Sequence, residues 1–208
     1  MTIMSAVSPP SDDFSEPVTT HTRRYIRTFW SLDRTLAQTR FFPAVHPLLS
    51  YSDDADGLAA WWQGQGNPQW PELRRRFLAL LGEQQRLERM VRIVGRDALP
   101  PRQQLTLLCA ELIGEGFLRQ SAFSPIDRFA SPARLTAMMR LLGSFIDHAD
   151  KALAQGADVD AIGDLPVLRR LQRMGEEISN EALDRCDLLQ RDIDSQFYAL
   201  TTERADAG

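Results

Sequence analysis

From Pro71 onward the apolar residues recur at helical intervals. Leu73, Phe77, Leu80, Leu87, Val91 and Val94 fall three, four or seven positions apart and predict one long helix with a single buried face. Pro71 suits its first helical position and Gly95 its C-terminal stop. A tight "GRDALPP" connection leads to a second helix with Leu105, Leu108, Leu112 and Ile113 on its face, weakening near Gly114 and Gly116. Ser131-Pro132 reads as an N-cap followed by proline at the first helical position. It opens a third helix carrying Leu135, Met138, Leu142, Phe145 and Ala149. A fourth is expected from about Pro166. A fifth is expected after Asn180, read as its N-cap, with Leu183, Cys186, Ile193, Phe197 and Leu200 along one side. The tail "TTERADAG" is expected to fray.

Before Pro71 the pattern changes. "TIMSAVS" (Thr2 to Ser8) alternates like a strand until Pro9-Pro10 stop it. The other strand-like run is "YIRTFW" (Tyr25 to Trp30), and two strands alone are marginal. The proline-bracketed, acidic "SPPSDDFSEPVT" (Ser8 to Thr19) reads as an irregular loop, and a short helix is expected around Leu58 to Gln63. "RFFPAVHPLLS" (Arg40 to Ser50) places two aromatics directly before a proline on a non-helical segment. The predicted class is mainly α: a C-terminal helical bundle preceded by a short β-containing segment.

Composition narrows the function classes. The chain has 208 residues, is 43% hydrophobic and 25% charged, and carries a net charge of −4, as an ordinary globular protein does. That balance argues against a nucleic-acid partner, although a local basic patch stays open. No apolar run approaches the roughly 20 residues needed to cross a bilayer, so direct membrane insertion is not expected. Cys109 and Cys186 sit within helical patterns and form no ligand pair, which favours a reducing, cytosolic setting.

The residues by themselves assemble no catalytic centre and no metal site. There is no phosphate-binding glycine loop, no His-Glu-x-x-His and no Cys-x-x-Cys. His21, His46 and His148 are scattered and read as structural or solvated. The carboxylate clusters "DDFSE" and "SDDAD" read as solvated turns, and the basic "LRRRF" (Leu73 to Phe77) as a solvated face. By spacing alone, Phe42 is a core aromatic.

Several segments in fixed order resemble one family, the catalytic A subunit (alpha chain) of V-type and archaeal-type rotary ATP synthases. They are "TIMSAVSPPSDDFSEPVT", "FWSLDRTLAQTRFFPAVHPLLSYS", "ERMVRIVGRDALPPRQQLTL", "GFLRQSAFSPID" and "GDLPVLRRLQRM". The resemblance covers nearly the whole chain. It implies that residues 1–35 are the C-terminal edge of a nucleotide-binding domain and residues 36–208 the helical C-terminal domain. The phosphate loop, the glutamate that activates the attacking water and the magnesium-holding residues would then lie upstream of this sequence. The stranded "TIMSAVS" would be a last strand without its sheet, an exposed edge prone to aggregate.

The resemblance carries residues over as well. Phe42, before "PA", would stack on the adenine of ATP or ADP, bound with Mg2+ in the full-length protein, and Phe123 in "RQSAF" would close the other side. Aromatic stacking on a base is worth roughly 1–3 kcal/mol and needs no reading of the base's edge. Asp97, Ala98, Leu99, Pro100, Pro101, Arg102 and Gln103 would form the tip that faces the central-stalk rotor. The implied partners are that rotor, non-catalytic B subunits in an alternating hexamer, and the upstream nucleotide-binding domain. The implied location is cytoplasmic, peripheral to a membrane through the complex. The chain alone would be inactive. Three departures stand out: Ser11-Asp12 replace two glycines, Val45-His46-Pro47 follow "FPA", and Gly114-Glu115-Gly116 replace a charged run, which should soften that helix end. The competing reading is a free-standing, non-enzymatic helical module that binds a rotor or neighbouring subunits.

Overall fold

A computed structural model describes residues 2–9 and 13–205. In chain order the elements are α1 (Pro17–Arg23), β1 (Thr28–Phe29), α2 (Arg34–Gln38), β2 (Tyr51–Ser52), α3 (Ala59–Gly64), α4 (Trp70–Val94), α5 (Pro101–Ile113), α6 (Pro132–Ala154), α7 (Val159–Gly163), α8 (Pro166–Glu177) and α9 (Asp184–Ala205). The class is mainly α, with 62% of the chain helical and a single two-stranded sheet among the described residues.

The bundle follows from its apolar stripes. α4 has 25 residues and is about 38 Å long at ~1.5 Å per residue. It lies against α5, and α6 lies against α9, while α8 contacts both α6 and α9. Their buried faces make one core that includes Phe77, Leu105, Leu112, Ile113, Met138, Leu142, Phe145, Leu171, Ile193 and Phe197. Phe145 meets Phe197 edge to face at 5.3 Å. Ser131 caps α6, its hydroxyl accepting from the Arg134 N–H at 3.2 Å. Gly95 ends α4 at φ 85°, a conformation that glycine adopts without a Cβ clash. A smaller cluster of Leu87, Leu99 and Leu107, with Val91 against it, closes the far end of the α4–α5 hairpin.

Several expectations change. Thr2 to Pro9 form no strand here, because among the described residues no strand pairs with their backbone. The strand-like Tyr25–Trp30 run forms a strand over two residues only: Thr28 opposes Ser52 and Phe29 opposes Tyr51, antiparallel. The stretch that reads as irregular up to Thr19 turns helical at Pro17, because the Glu16 carboxylate accepts from the Val18 and Thr19 N–H groups at 2.8 and 3.0 Å. The short helix α7 is too brief to announce itself by periodicity. Asn180 does not cap α9; its side chain accepts from Ser131 N–H at 2.8 Å and donates to the Phe129 carbonyl at 3.1 Å. Gly114–Leu118 close as a π-type turn, a local widening of the kind found inside α-helices. Helix α9 runs on through Ala205, into the tail expected to fray. The departure at Ser11-Asp12 lies outside the described residues.

Candidate functional site

The segment that carries Phe41 and Phe42 is set by the end of α2. Arg40 N–H donates to the Ala37 carbonyl at 3.1 Å and Phe41 N–H to the Leu36 carbonyl at 2.8 Å. With Arg40 at φ 59°, this is a Schellman stop made without glycine. The following turn is braced on both sides. Asp33 N–H donates to the Ala44 carbonyl at 2.9 Å and His46 N–H to the Ser31 carbonyl at 2.8 Å. His46 Nδ1 accepts from the Leu48 and Leu49 N–H groups at 3.2 Å each, a structural role. Phe41 is partly buried with its ring edge toward Gly114, whereas Phe42 is 50% exposed. The Phe42–Pro43 bond is cis.

The second aromatic stands on the loop between α5 and α6. Phe123 is 99% exposed, with no packing to explain it. The backbone joins the two segments: Gln120 N–H donates to the Phe42 carbonyl at 2.7 Å. Both aromatics therefore project from one hydrogen-bonded pair of loops with ring surface open to solvent. An aromatic face open to solvent is what stacking on a flat heteroaromatic ring requires.

The loop has an internal frame that no motif in the sequence announces. Asp127 is buried, and its carboxylate accepts from the Ser121 N–H at 2.6 Å. The Asp127 carbonyl accepts from the Gln120 side chain at 2.7 Å. The partner of that carboxylate is Arg134, on the first turn of α6, at 3.4 Å. Asp127 is the last residue of the family-like "GFLRQSAFSPID" run, which gives it no role of its own. Arg134 neighbours Leu135 at the start of α6, and no local pattern marks an arginine there as buried.

The tip is a helical hairpin end. Asp97, Ala98, Pro100, Pro101 and Arg102 are exposed, Gln103 is partly buried, and Leu99 points inward to Leu87 and Leu107. Arg96 forks onto Glu111 at 2.8 and 3.2 Å, and Gln104 donates to the Leu99 carbonyl at 2.8 Å. Arg102 pairs with Asp150 at 2.5 Å, and Arg76 bridges Asp147 and Asp150 at 2.5 and 3.1 Å. Part of the basic run that reads as solvated is thus tied to α6. Val94, placed on the apolar face by its spacing, is exposed, and so is Ile93, at 85%. The end of α4 therefore presents apolar surface beside the tip.

Other candidate chemistry is quiet. Cys109 is buried, and burial pushes its thiol up to about 12; burial raises Cys186 as well. Both are held as thiols, poor nucleophiles at neutral pH. Among the described residues no group of three or more His, Cys, Asp or Glu side chains could hold a metal ion. A cleft of about 380 Å³ lies between the tip and the α6–α7 turn, and neither Phe42 nor Phe123 lines it.

Comparison with known proteins decides the family. Residues 59–163 match the C-terminal domain of V and A type ATP synthase. The chain belongs to that family. Residues 1–52 match the nucleotide-binding domain of the ATP synthase alpha/beta family. The A subunit of the A-type ATP synthase of Thermococcus sibiricus is 41% identical over 200 residues, covering 96% of this chain and 34% of that protein. The V-type ATP synthase alpha chain of Halothermothrix orenii is 38% identical over 200 residues, with the same coverages of 96% and 34%. The corresponding A subunit of the A-type enzyme of Methanopyrus kandleri is 38% identical over 203 residues, covering 98% and 34%. The chain spans about a third of the length of these curated relatives. Among the described residues of this V/A-type ATP synthase family member, no helix is long and apolar enough to cross a membrane.

Proposed function

We propose that this chain is the C-terminal part of the catalytic subunit of a V/A-type rotary ATP synthase. In this reading it supplies the adenine side of the nucleotide pocket and the tip that couples ATP hydrolysis or synthesis to rotation. The observation that carries the first part is the Gln120–Phe42 main-chain bond at 2.7 Å, which ties the loops of two solvent-open aromatics together. Phe42 and Phe123 stack on the base of ATP or ADP. The phosphates and Mg2+ are held by the upstream nucleotide-binding domain of the same polypeptide. Residues 1–35 belong to the edge of that domain and residues 36–208 to the helical domain.

The second part rests on the hairpin end. Asp97, Ala98, Pro100, Pro101 and Arg102 face a central-stalk rotor, with Leu99 as their internal brace. The bundle core behind them is closed, so closure of the helical domain on nucleotide moves the tip as a rigid lever. Non-catalytic B subunits flank the chain in an alternating hexamer, and the complex sits on the cytoplasmic side of a membrane.

The test is kinetic. In the assembled enzyme, Phe42→Ala raises the KM for ATP by about 5-fold or more, since stacking is worth roughly 1–3 kcal/mol. An unchanged KM removes the adenine role. The isolated 208-residue chain binds Mg-ATP no tighter than millimolar by titration calorimetry, because its aromatics meet only the base. Micromolar affinity would overturn the reading.

A further inference from the structure

A fully buried arginine in a small bundle calls for an explanation. Arg134 is 0% exposed. A buried charge pair seldom stabilises a fold better than apolar residues of the same volume, so stability alone does not account for it. What a guanidinium supplies is direction, a planar fork of donors in fixed geometry.

Three of the four hydrogen bonds from its two Nη atoms go to one loop, and the fourth goes to α8. Nη1 donates to the Ile126 carbonyl at 2.7 Å and to the Phe129 carbonyl at 3.2 Å. Nη2 donates to Asp127 Oδ1 at 3.4 Å and to the Gly175 carbonyl in α8. From Asp127 the connection continues outward. Its other carboxylate oxygen accepts from Ser121 N–H at 2.6 Å, its carbonyl accepts from the Gln120 side chain at 2.7 Å, and Gln120 N–H reaches the Phe42 carbonyl at 2.7 Å. Helix α8 closes tightly on the same point: a Cβ on Gly175 would lie 3.2 Å from Asp127 Oδ1.

We propose that Arg134 is a positioning residue for the nucleotide pocket. Acting through Asp127, it sets the loop that presents Phe123 and holds the carbonyl of Phe42. Both aromatics are thereby referenced to the junction of α6 and α8. The inference rests on the adenine-stacking reading and adds to it the residues that aim the stack. A shift of α8 against α6 is passed by hydrogen bonds to the two loops that carry the aromatics, at the Phe42 carbonyl and at Gln120 and Ser121, which gives the bundle a mechanical connection to the base.

Two variants test it. Asp127→Asn keeps the volume but removes the negative partner. Arg134→Lys keeps the charge but loses the fork. Neither empties the core, so a folded protein is expected from at least the first. In the assembled enzyme each raises the KM for ATP about tenfold, by a larger factor than it lowers kcat. In the 208-residue chain, amide hydrogen exchange at Gln120 and Ser121 becomes at least tenfold faster, while the core amide of Leu142 in α6 is unchanged. That combination supports the proposal. If Leu142 accelerates together with Gln120 and Ser121, the pair is merely structural and the proposal falls. It also falls if Phe42→Ala raises the KM while Asp127→Asn and Arg134→Lys do not. If Phe42→Ala itself leaves the KM unchanged, the adenine reading fails first and takes the proposal with it.

Discussion

Residues 70–205 and residues 2–58 bury their apolar side chains in different ways. In the bundle, α4 to α9 close on a continuous core in which Leu112, Ile113, Leu142, Phe145, Leu171 and Ile193 have no exposure. In the N-terminal stretch, Ile3, Met4, Tyr25, Trp30 and Leu32 are exposed. Order there comes from smaller devices: the Glu16 cap, the paired β1 and β2, and an aromatic group in which Arg23 lies over Phe29 at 5.1 Å while Phe29 meets Phe14 and Tyr51. The bundle is stabilised by the area it removes from water. The N-terminal stretch retains an apolar surface of the kind that other protein normally covers. The candidate site lies on the border, where Phe42 of the second region is hydrogen-bonded to Gln120 of the first.

The comparison can be broken from the bundle side. Phe145→Ala should cost about 3–5 kcal/mol in denaturant unfolding, since its side chain has no exposure and Phe197 loses its edge contact. A cost below about 1 kcal/mol would mean that the core is not the stabilising unit. Next comes pH. The Cys109 thiol is raised by burial from 9.0 to about 12, so between those values the unfolded chain releases a proton that the folded chain keeps. Stability is full below pH 9.0 and falls as pH rises toward about 12, with a slope of at most about 1.4 kcal/mol per pH unit from this group. Cys109→Ala should flatten that slope in urea titrations, and an unchanged slope would contradict the burial.

Smaller effects sharpen the border. A Cβ on Gly116 would lie 2.7 Å from the Leu171 carbonyl oxygen, a backbone atom that cannot step aside. Gly116→Ala should therefore cost about 1–3 kcal/mol by forcing α8 away from the π-type turn. Ser131→Ala should cost about 1 kcal/mol through the lost cap of α6, visible as a lower unfolding midpoint with unchanged denaturant dependence. Least of all, Arg40→Gly should relieve a left-handed residue at the end of α2 and stabilise locally by up to ~1 kcal/mol. Because that residue lies outside the core, the gain should show as slower exchange of the Phe41 amide and leave global unfolding unmoved. A rise in global stability would show that the two regions unfold as one.

Much of the bundle is legible in the sequence because its signals are local. The period of Leu73 and Phe77, the Ser131-Pro132 start and the Gly95 stop each need only a few neighbouring residues to be read. The same rules mislead where a distant group competes. Asn180 has the chemistry of an N-cap but is taken by Ser131 and Phe129. Val94 keeps the period of α4 but lies past the point where anything covers it. The candidate site is half legible: Phe42 and Phe123 come from a resemblance in short motifs, while their shared frame comes from no motif.

By itself, then, the sequence determined the helical class, most of the helix starts and stops, the family resemblance and the two aromatics worth testing. The tertiary structure alone decided that β1 pairs with β2, that Leu99 faces inward at the tip, and that Arg134 is buried under the Phe123 loop. The physical reason is the range of the forces concerned. Periodicity, capping and turn preference act within a few residues and leave a mark in composition. A hydrogen bond from Gln120 to Phe42, or from Arg134 to Gly175, joins residues far apart in the chain, and each residue's identity permits many other partners.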